Sequence, residues 1–273
     1  MTGIISGVEG VQQPLGGLLR LEFFDPVPIS LSDGRVLSRE NLPGDVVDGA
    51  VKILSCLDAL VRDTGFDVDD RLLLRRVEET VFEAVHQDMP DAAYAEAYAG
   101  GISARVGGFD HAAADCACKL AYCMQRRSAG YANPSRIRAD DRTCTNILTM
   151  VGRMNAFLDV MGPVRRICFR FPGGYGKAVN SGFGMFLTDE CLWDVTTSAD
   201  PLPEKARLAL LIRYVLSRGS KDPALTNIRN IGIMNPRLHC AYMMPAGDIP
   251  QDVLEYAAEG IVGIDSLRIP SGA

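Results

Sequence analysis

The segment Gly184–Thr197 carries three carboxylates, Asp189, Glu190 and Asp194, and Asp194 stands two residues before Thr196. Residues i and i+2 share a face of a strand, so whatever Asp194 binds is also within reach of position 196. A carboxylate there can contribute to a divalent-cation site, which needs several oxygen ligands, or can cap and hydrogen-bond within a sheet. Upstream, Arg165, Arg166, Arg170 and Lys177 gather around the strand sequence CFRF. Arg166, Cys168 and Arg170 fall on one face, and Ile167, Phe169 and Phe171 on the other. Such a row of cations can meet a phosphate backbone, or it can be a solvated or salt-bridged strand face.

Other reactive residue types give weaker patterns. PGGYGK (Pro172–Lys177) suggests a phosphate loop, but Lys177 is followed by Ala178 and Phe171 stands where the first glycine belongs. The Walker pattern therefore fails, and a tight turn is expected. Cys116, Cys118 and Cys123 follow His111 in a segment read as helix. At ~100° per residue, Cys116 and Cys123 share a face while Cys118 points elsewhere. No second ligand pair stands at zinc spacing, so these cysteines are expected to pack in a core, and no metal site is expected there. His86, His111 and His239 each lack a Cys, Ser or Asp partner at motif spacing, and G-x-S-x-G does not occur. A serine or cysteine hydrolase is unsupported.

The elements that must position these residues change character along the chain. Residues 1–43 are rich in Gly, Pro and Ser, with one strand expected at Leu18–Phe24. Helical spacing of apolar residues predicts helices over about Gly44–Asp63 and Asp69–His86, and an Ala-rich segment from Pro90 ends at Gly100-Gly101. A further helix follows an Asp110 N-cap to about Arg126. The breaker cluster Ala129–Pro134 sets a boundary between a mostly helical region, 1–130, and an α/β region, 131–273, which can pack as one domain. Beyond it the pattern predicts a helix over Thr143–Met161, strands over Val164–Phe171, Gly184–Leu187 and Leu192–Thr197, and a helix over Glu204–Ser217. A hairpin of Ile231–Met234 and Leu238–Met244, and a short helix from Pro250, complete it. A helix between strands is the ordinary way to join parallel neighbours, so a mixed sheet with packed helices is expected. Trp193, the only tryptophan, is expected to anchor the core.

Composition narrows the class. With 273 residues, 47% hydrophobic and 23% charged, the chain can bury a sizeable core and is neither disordered nor fibrous. Residues 1–130 hold 12 Lys/Arg against 20 Asp/Glu, and residues 131–273 hold 16 against 14. The acidic first half argues against a protein that coats nucleic acid, while a local basic face in the second half stays open. No run approaches the roughly 18 apolar residues of a membrane span. The N-terminus MTGIISGVEGVQQPLGG lacks a basic region before its apolar residues. A cytoplasmic protein without membrane contact is expected.

The element order of the second half is similar to the core of the restriction-endonuclease-like, PD-(D/E)xK, superfamily. The stretches FPGGYGKAVNSGFGMFLTDECLWDVTTS (Phe171–Ser198), PLPEKARLALLIRYVLSRGS (Pro201–Ser220) and NIGIMNPRLHCAYMM (Asn230–Met244) resemble a group of uncharacterised bacterial proteins with a nuclease-type hairpin. The similarity extends more weakly through residues 110–170. The resemblance implies a mixed α+β fold, a helical N-terminal region followed by a mixed β-sheet core flanked by helices. It also implies a site with an acid on the second core strand, an acid and a Lys two residues apart on the third, and a Gln on the following helix. Mg²⁺ held by such carboxylates would stabilise the phosphate and activate water.

Here Phe183, Gly184 and Met185 stand where the first acid belongs, Thr196 replaces the Lys and Ala209 replaces the Gln. Asp194 alone remains, and a structural role for it is expected over a catalytic one. The resemblance thus implies a catalytically inactive relative, kept for nucleic-acid binding through Arg165, Arg166, Arg170 and Lys177 or for protein assembly, with no cofactor. Two alternatives stay open. One is an active Mg²⁺-dependent phosphodiesterase with a relocated site. The other is a structural or dimerising protein, a homo-oligomer with no DNA or RNA partner.

Overall fold

A computed structural model of the chain describes residues 4–29, 33–63, 92–105, 107–125 and 134–264. In chain order these form α1 (Ile4–Glu9), β1 (Asp25–Val27), α2 (Gly44–Asp63), α3 (Ala92–Ser103), α4 (His111–Gln125) and α5 (Asp141–Met161). There follow β2 (Arg166–Phe169), β3 (Gly184–Leu187), β4 (Cys191–Val195), α6 (Glu204–Arg218), α7 (Pro223–Thr226), β5 (Asn230–Asn235), β6 (Cys240–Pro245) and α8 (Gln251–Glu255). The helix expected over Asp69–His86, with His86, lies outside the described residues. The architecture is mixed α/β, with N-terminal helices and a mixed sheet flanked by helices. No described helix is long and apolar enough to cross a membrane.

The chain divides into two compact units, residues 31–159 and residues 1–30 with 160–273. In the helical unit, α2 buries Val47, Ala50, Val51, Leu54 and Leu57, the stripe that its spacing predicts. The Asp110 cap forms as expected, its Oδ1 accepting the Ala113 N–H at 2.9 Å. That bond, more than the nearby Arg105, holds the Asp110 carboxyl below its ordinary pKa. One expectation needs correction: Gly100-Gly101 does not end the third helix. A side chain at Gly101 would meet Cys116 Sγ at 2.9 Å, so the glycine lets α3 approach α4 closely inside a continuing helix.

The breaker cluster, of which only Pro134 is described, assigns α5 to the α/β region. The helix buries Cys144, Ile147, Met150 and Val151 in the core of the helical unit. A second, polar stripe on the same helix grips an extended segment. Arg153 donates to both Asp33 oxygens at 2.9 and 2.6 Å and to Arg35 O at 2.6 Å. Asn146 donates to Ser38 O at 2.7 Å, and Thr143 exchanges bonds with Asn41. Between these stripes Gly152 is exposed, and nothing lies within 4 Å of a Cβ built on it. Gly152→Ala is therefore expected to raise stability by roughly 0.5–1 kcal/mol, read as a higher urea midpoint. A lower midpoint would contradict an open helix face at this position.

The second unit holds one six-stranded sheet in the order β1-β6-β5-β4-β3-β2. β4 and β5 run parallel, and every other neighbouring pair is antiparallel. α6 leads from β4 toward β5, the crossover that the element order predicts, and packs on both strands. Its Leu208, Leu211, Ile212 and Val215 are buried in one cluster with Leu192, Ile231 and Ile233. Trp193 is fully buried, in register with Gly232, and a side chain at 232 would collide with the indole. The glycine is what admits a tryptophan at this strand pair.

The N-terminal strand expected at Leu18–Phe24 is not there. Leu21–Phe23 form a 3₁₀ turn, and the strand follows as β1, paired with β6. The cause is the buried Arg207, which donates to Gly16 O at 2.9 Å and to Leu19 O. Those carbonyls are bonded to a guanidinium rather than to a ladder. The helix from Pro250 does form, but past Glu255 it continues as a π-helix, Tyr256–Val262, ended by Gly263 at φ 77°. Seven residues is long for this rare helix type.

Candidate functional site

Strand alternation and the β4–α6 connection together determine what Asp194 meets. Trp193 takes one face of β4, so Asp194 takes the other, which α6 covers. Arg213 on α6 reaches it there. Its Nη1 donates to Asp194 Oδ2 at 2.6 Å, with side-chain exposures of only 11% for Arg213 and 3% for Asp194. Asp194 Oδ1 accepts the Val195 N–H at 2.8 Å, and Arg213 Nε donates to Phe183 O at 2.8 Å. One guanidinium thus joins Asp194 to the backbone at the start of β3. Ala209, where the resemblance places a Gln, lies one helical turn before Arg213. Thr196 is buried and its N–H bonds Met234 O at 3.0 Å, in continuation of the β4–β5 ladder.

The residues present do not fit a magnesium site. Both oxygens of Asp194 already have donors, and Phe183, Gly184 and Met185 add no second carboxylate. Hard cations need several oxygens at once. Among the described residues, no three His, Cys, Asp or Glu side chains are grouped to hold a metal ion. The other hairpin acids are held elsewhere. Asp189 pairs with Arg165, and Glu190 pairs with Arg229 at 2.9 Å.

β2 is an edge strand of the sheet, and its faces are as the sequence predicts. Ile167, Phe169 and Phe171 are buried, while Arg165, Arg166 and Arg170 are exposed. Cys168 is only partly exposed and adopts φ 45°, which interrupts the regular strand between Ile167 and Phe169. Arg166 pairs with Asp222 at 3.5 Å, and the Arg170 guanidinium lies 5.7 Å from the centroid of the Phe183 ring. Lys177 is exposed past the turn. Arg165 and Arg166 therefore each carry an acidic neighbour. Both pairs are substantially exposed, and exposed pairs contribute only about 0–1 kcal/mol.

The turn at Pro172–Gly176 is not a phosphate cradle. Its amides bond inward: Gly174 N to Phe171 O at 2.9 Å, Gly176 N to Val179 O at 2.9 Å, and Lys177 N to Gly263 O at 3.1 Å. Side chains at Gly174 or Gly176 would collide with Leu216 O or Val262 O, so these glycines serve close packing.

The cysteines of α4 form no disulfide, and Cys118 and Cys123 are buried. Burial pushes the Cys118 thiol well up and that of Cys144 to about 11, which disfavours the thiolate that metal binding needs. His111, without a partner at motif spacing, gains partners in the fold: Nδ1 lies 3.4 Å from Asp141 Oδ1 and Nε2 lies 3.2 Å from Thr145 Oγ1. The Thr145 hydroxyl donates to Asp141 O at 2.7 Å, so this trio cross-links the starts of α4 and α5 rather than activating a nucleophile. His239 stands in the β5–β6 turn at φ 54°. That turn is held by Asn235, whose Nδ2 donates to Ser198 O and Asp200 O at 2.9 and 3.1 Å.

Sequence reasoning missed Arg213. The available signal was a lone charge inside the apolar run LALLIRYVL, four residues past Ala209. Compared with protein-family models, curated proteins and solved structures, the chain matches none of them.

Proposed function

We propose that the sheet unit is a restriction-endonuclease-like core that has lost phosphodiester cleavage and is retained for binding. Nucleic acid is its ligand, at the strand edge of Arg165, Arg166, Arg170 and Lys177. The single observation that carries the loss of cleavage is the buried contact of Arg213 with Asp194. A guanidinium fixed on Asp194 supplies the positive charge that an active site would draw from Mg²⁺ and Lys, and each oxygen of that carboxylate already accepts a hydrogen bond from the protein. Moving it aside would strand a buried charge. The binding reading rests on charge and exposure. The surface acids Asp189 and Asp222 are weakly held partners that a phosphate can replace.

The test is a salt titration of oligonucleotide binding by fluorescence anisotropy, with Mg²⁺ present and the probe checked for cleavage. Binding at low salt is expected to weaken with a slope of log K against log salt of about −2 to −4, with the probe intact. Arg166→Ala is expected to reduce that slope by about 1. Absence of binding at low salt would remove the nucleic-acid reading and leave assembly alone. Probe cleavage that is lost in Asp194→Asn would overturn the non-catalytic reading.

A further inference from the structure

Arg170 is the last residue before the β2 chain turns into Phe171–Gly176, and it remains exposed while its guanidinium lies over the Phe183 ring at 5.7 Å. Phe183 is itself fixed at its backbone, because its carbonyl accepts from the partly buried Arg213 at 2.8 Å. The adjoining Gly182 carbonyl accepts from the Tyr175 hydroxyl at 2.7 Å. The ring is therefore a seat anchored at two successive carbonyls, and the guanidinium on it is a planar cation held at the surface. The planar cation at the end of this long side chain thus has a cation–π contact at the surface. Exposed Arg166 lies four residues before it and exposed Lys177 seven residues after it.

We infer that this edge selects single-stranded over duplex nucleic acid, with an unpaired base stacking on the Arg170 guanidinium that Phe183 holds in place. The inference rests on the nucleic-acid reading above and deepens it. The physical reason is that every base has an open face in a single strand, whereas in a duplex each face is already stacked on a neighbour. A positioned guanidinium plane or aromatic ring can only capture the former. Arg166 and Lys177 then meet the adjoining phosphates as point charges, which bind either form. Selectivity lies in the plane at Arg170, and affinity common to both forms lies in the flanking cations.

The experiment compares a fluorescein-labelled single-stranded oligonucleotide with the duplex it forms with its complement, at low salt, on the full chain and on Arg170→Lys. Lysine keeps the charge and loses the plane. Wild type is expected to favour the single strand, and Arg170→Lys to bind that strand roughly tenfold more weakly with little change on the duplex. Phe183→Leu, which removes the seat but keeps an apolar residue, is expected to shift the same ratio in the same direction. Thermal melts of both variants establish that they fold. Equal affinity for the two forms, or an Arg170→Lys variant with an unchanged ratio, would overturn the inference and leave the nucleic-acid reading standing. No binding to either form would sink that reading and the inference with it.

Discussion

Replacing Arg213 by methionine is expected to destabilise the protein by about 3–5 kcal/mol. The change removes one partner of a buried ion pair and leaves the Asp194 carboxylate, only 3% exposed at its side chain, with the Val195 N–H as its remaining donor among the bonds described above. It also strips the Phe183 carbonyl of the Arg213 Nε–H. Methionine keeps most of the volume, so the loss reports the polar contacts rather than a cavity. Urea unfolding of Arg213→Met, Asp194→Asn and the double variant forms a cycle. The double variant is expected to recover part of the loss, with a coupling between about 1 and 3 kcal/mol. An Arg213→Met protein within about 0.5 kcal/mol of wild type would mean that the pair does not hold β4 to α6, since changes of that size are typical of featureless surface sites.

Gly174→Ala is the second large effect, expected to cost about 3 kcal/mol or more, at or above the usual range for overpacking. The added methyl would overlap Leu216 O and stand 3.2 Å from Ser220 N, both in the backbone at the C-terminal end of α6. Backbone cannot swing away as a side-chain tip can, and Gly219 already packs against the Gly174 Cα. The turn would have to lift off α6, displacing Arg170 and Lys177 on either side of it. A fall in melting temperature together with weaker oligonucleotide binding is the expected readout. Wild-type melting would show that the turn does not sit on the helix end. Gly152→Ala is the control with the opposite sign.

The parts of the fold that follow from periodicity were legible in the chain. The apolar stripe of α2, the β2 alternation, the β3–β4 hairpin and the β4–α6–β5 crossover all answer to spacing that a single residue cannot conceal. What escaped were features made by one polar side chain meeting distant backbone. Arg207 takes the carbonyls of Gly16 and Leu19, so an apolar stretch that reads as strand becomes a 3₁₀ turn. Arg153 and Asn146 give α5 a polar stripe that holds residues 33–40, invisible to a reading that follows only its apolar stripe. The candidate site divides in the same way. Asp194 could be placed on its strand face from alternation alone, whereas its partner comes from another element, and helical spacing by itself gives no reason to pair residues 19 positions apart.

Manganese is the most direct probe of that pair, because it takes the same oxygen ligands as magnesium and its free ion gives a strong electron paramagnetic resonance signal. Titration of the full chain and of Asp194→Asn should release the same free-ion signal from both, with no stoichiometric site lost by the substitution. A tight, one-to-one site present in the wild type and absent from Asp194→Asn would mean that Arg213 yields to a metal, and the account of a carboxylate closed off by its own helix would be wrong.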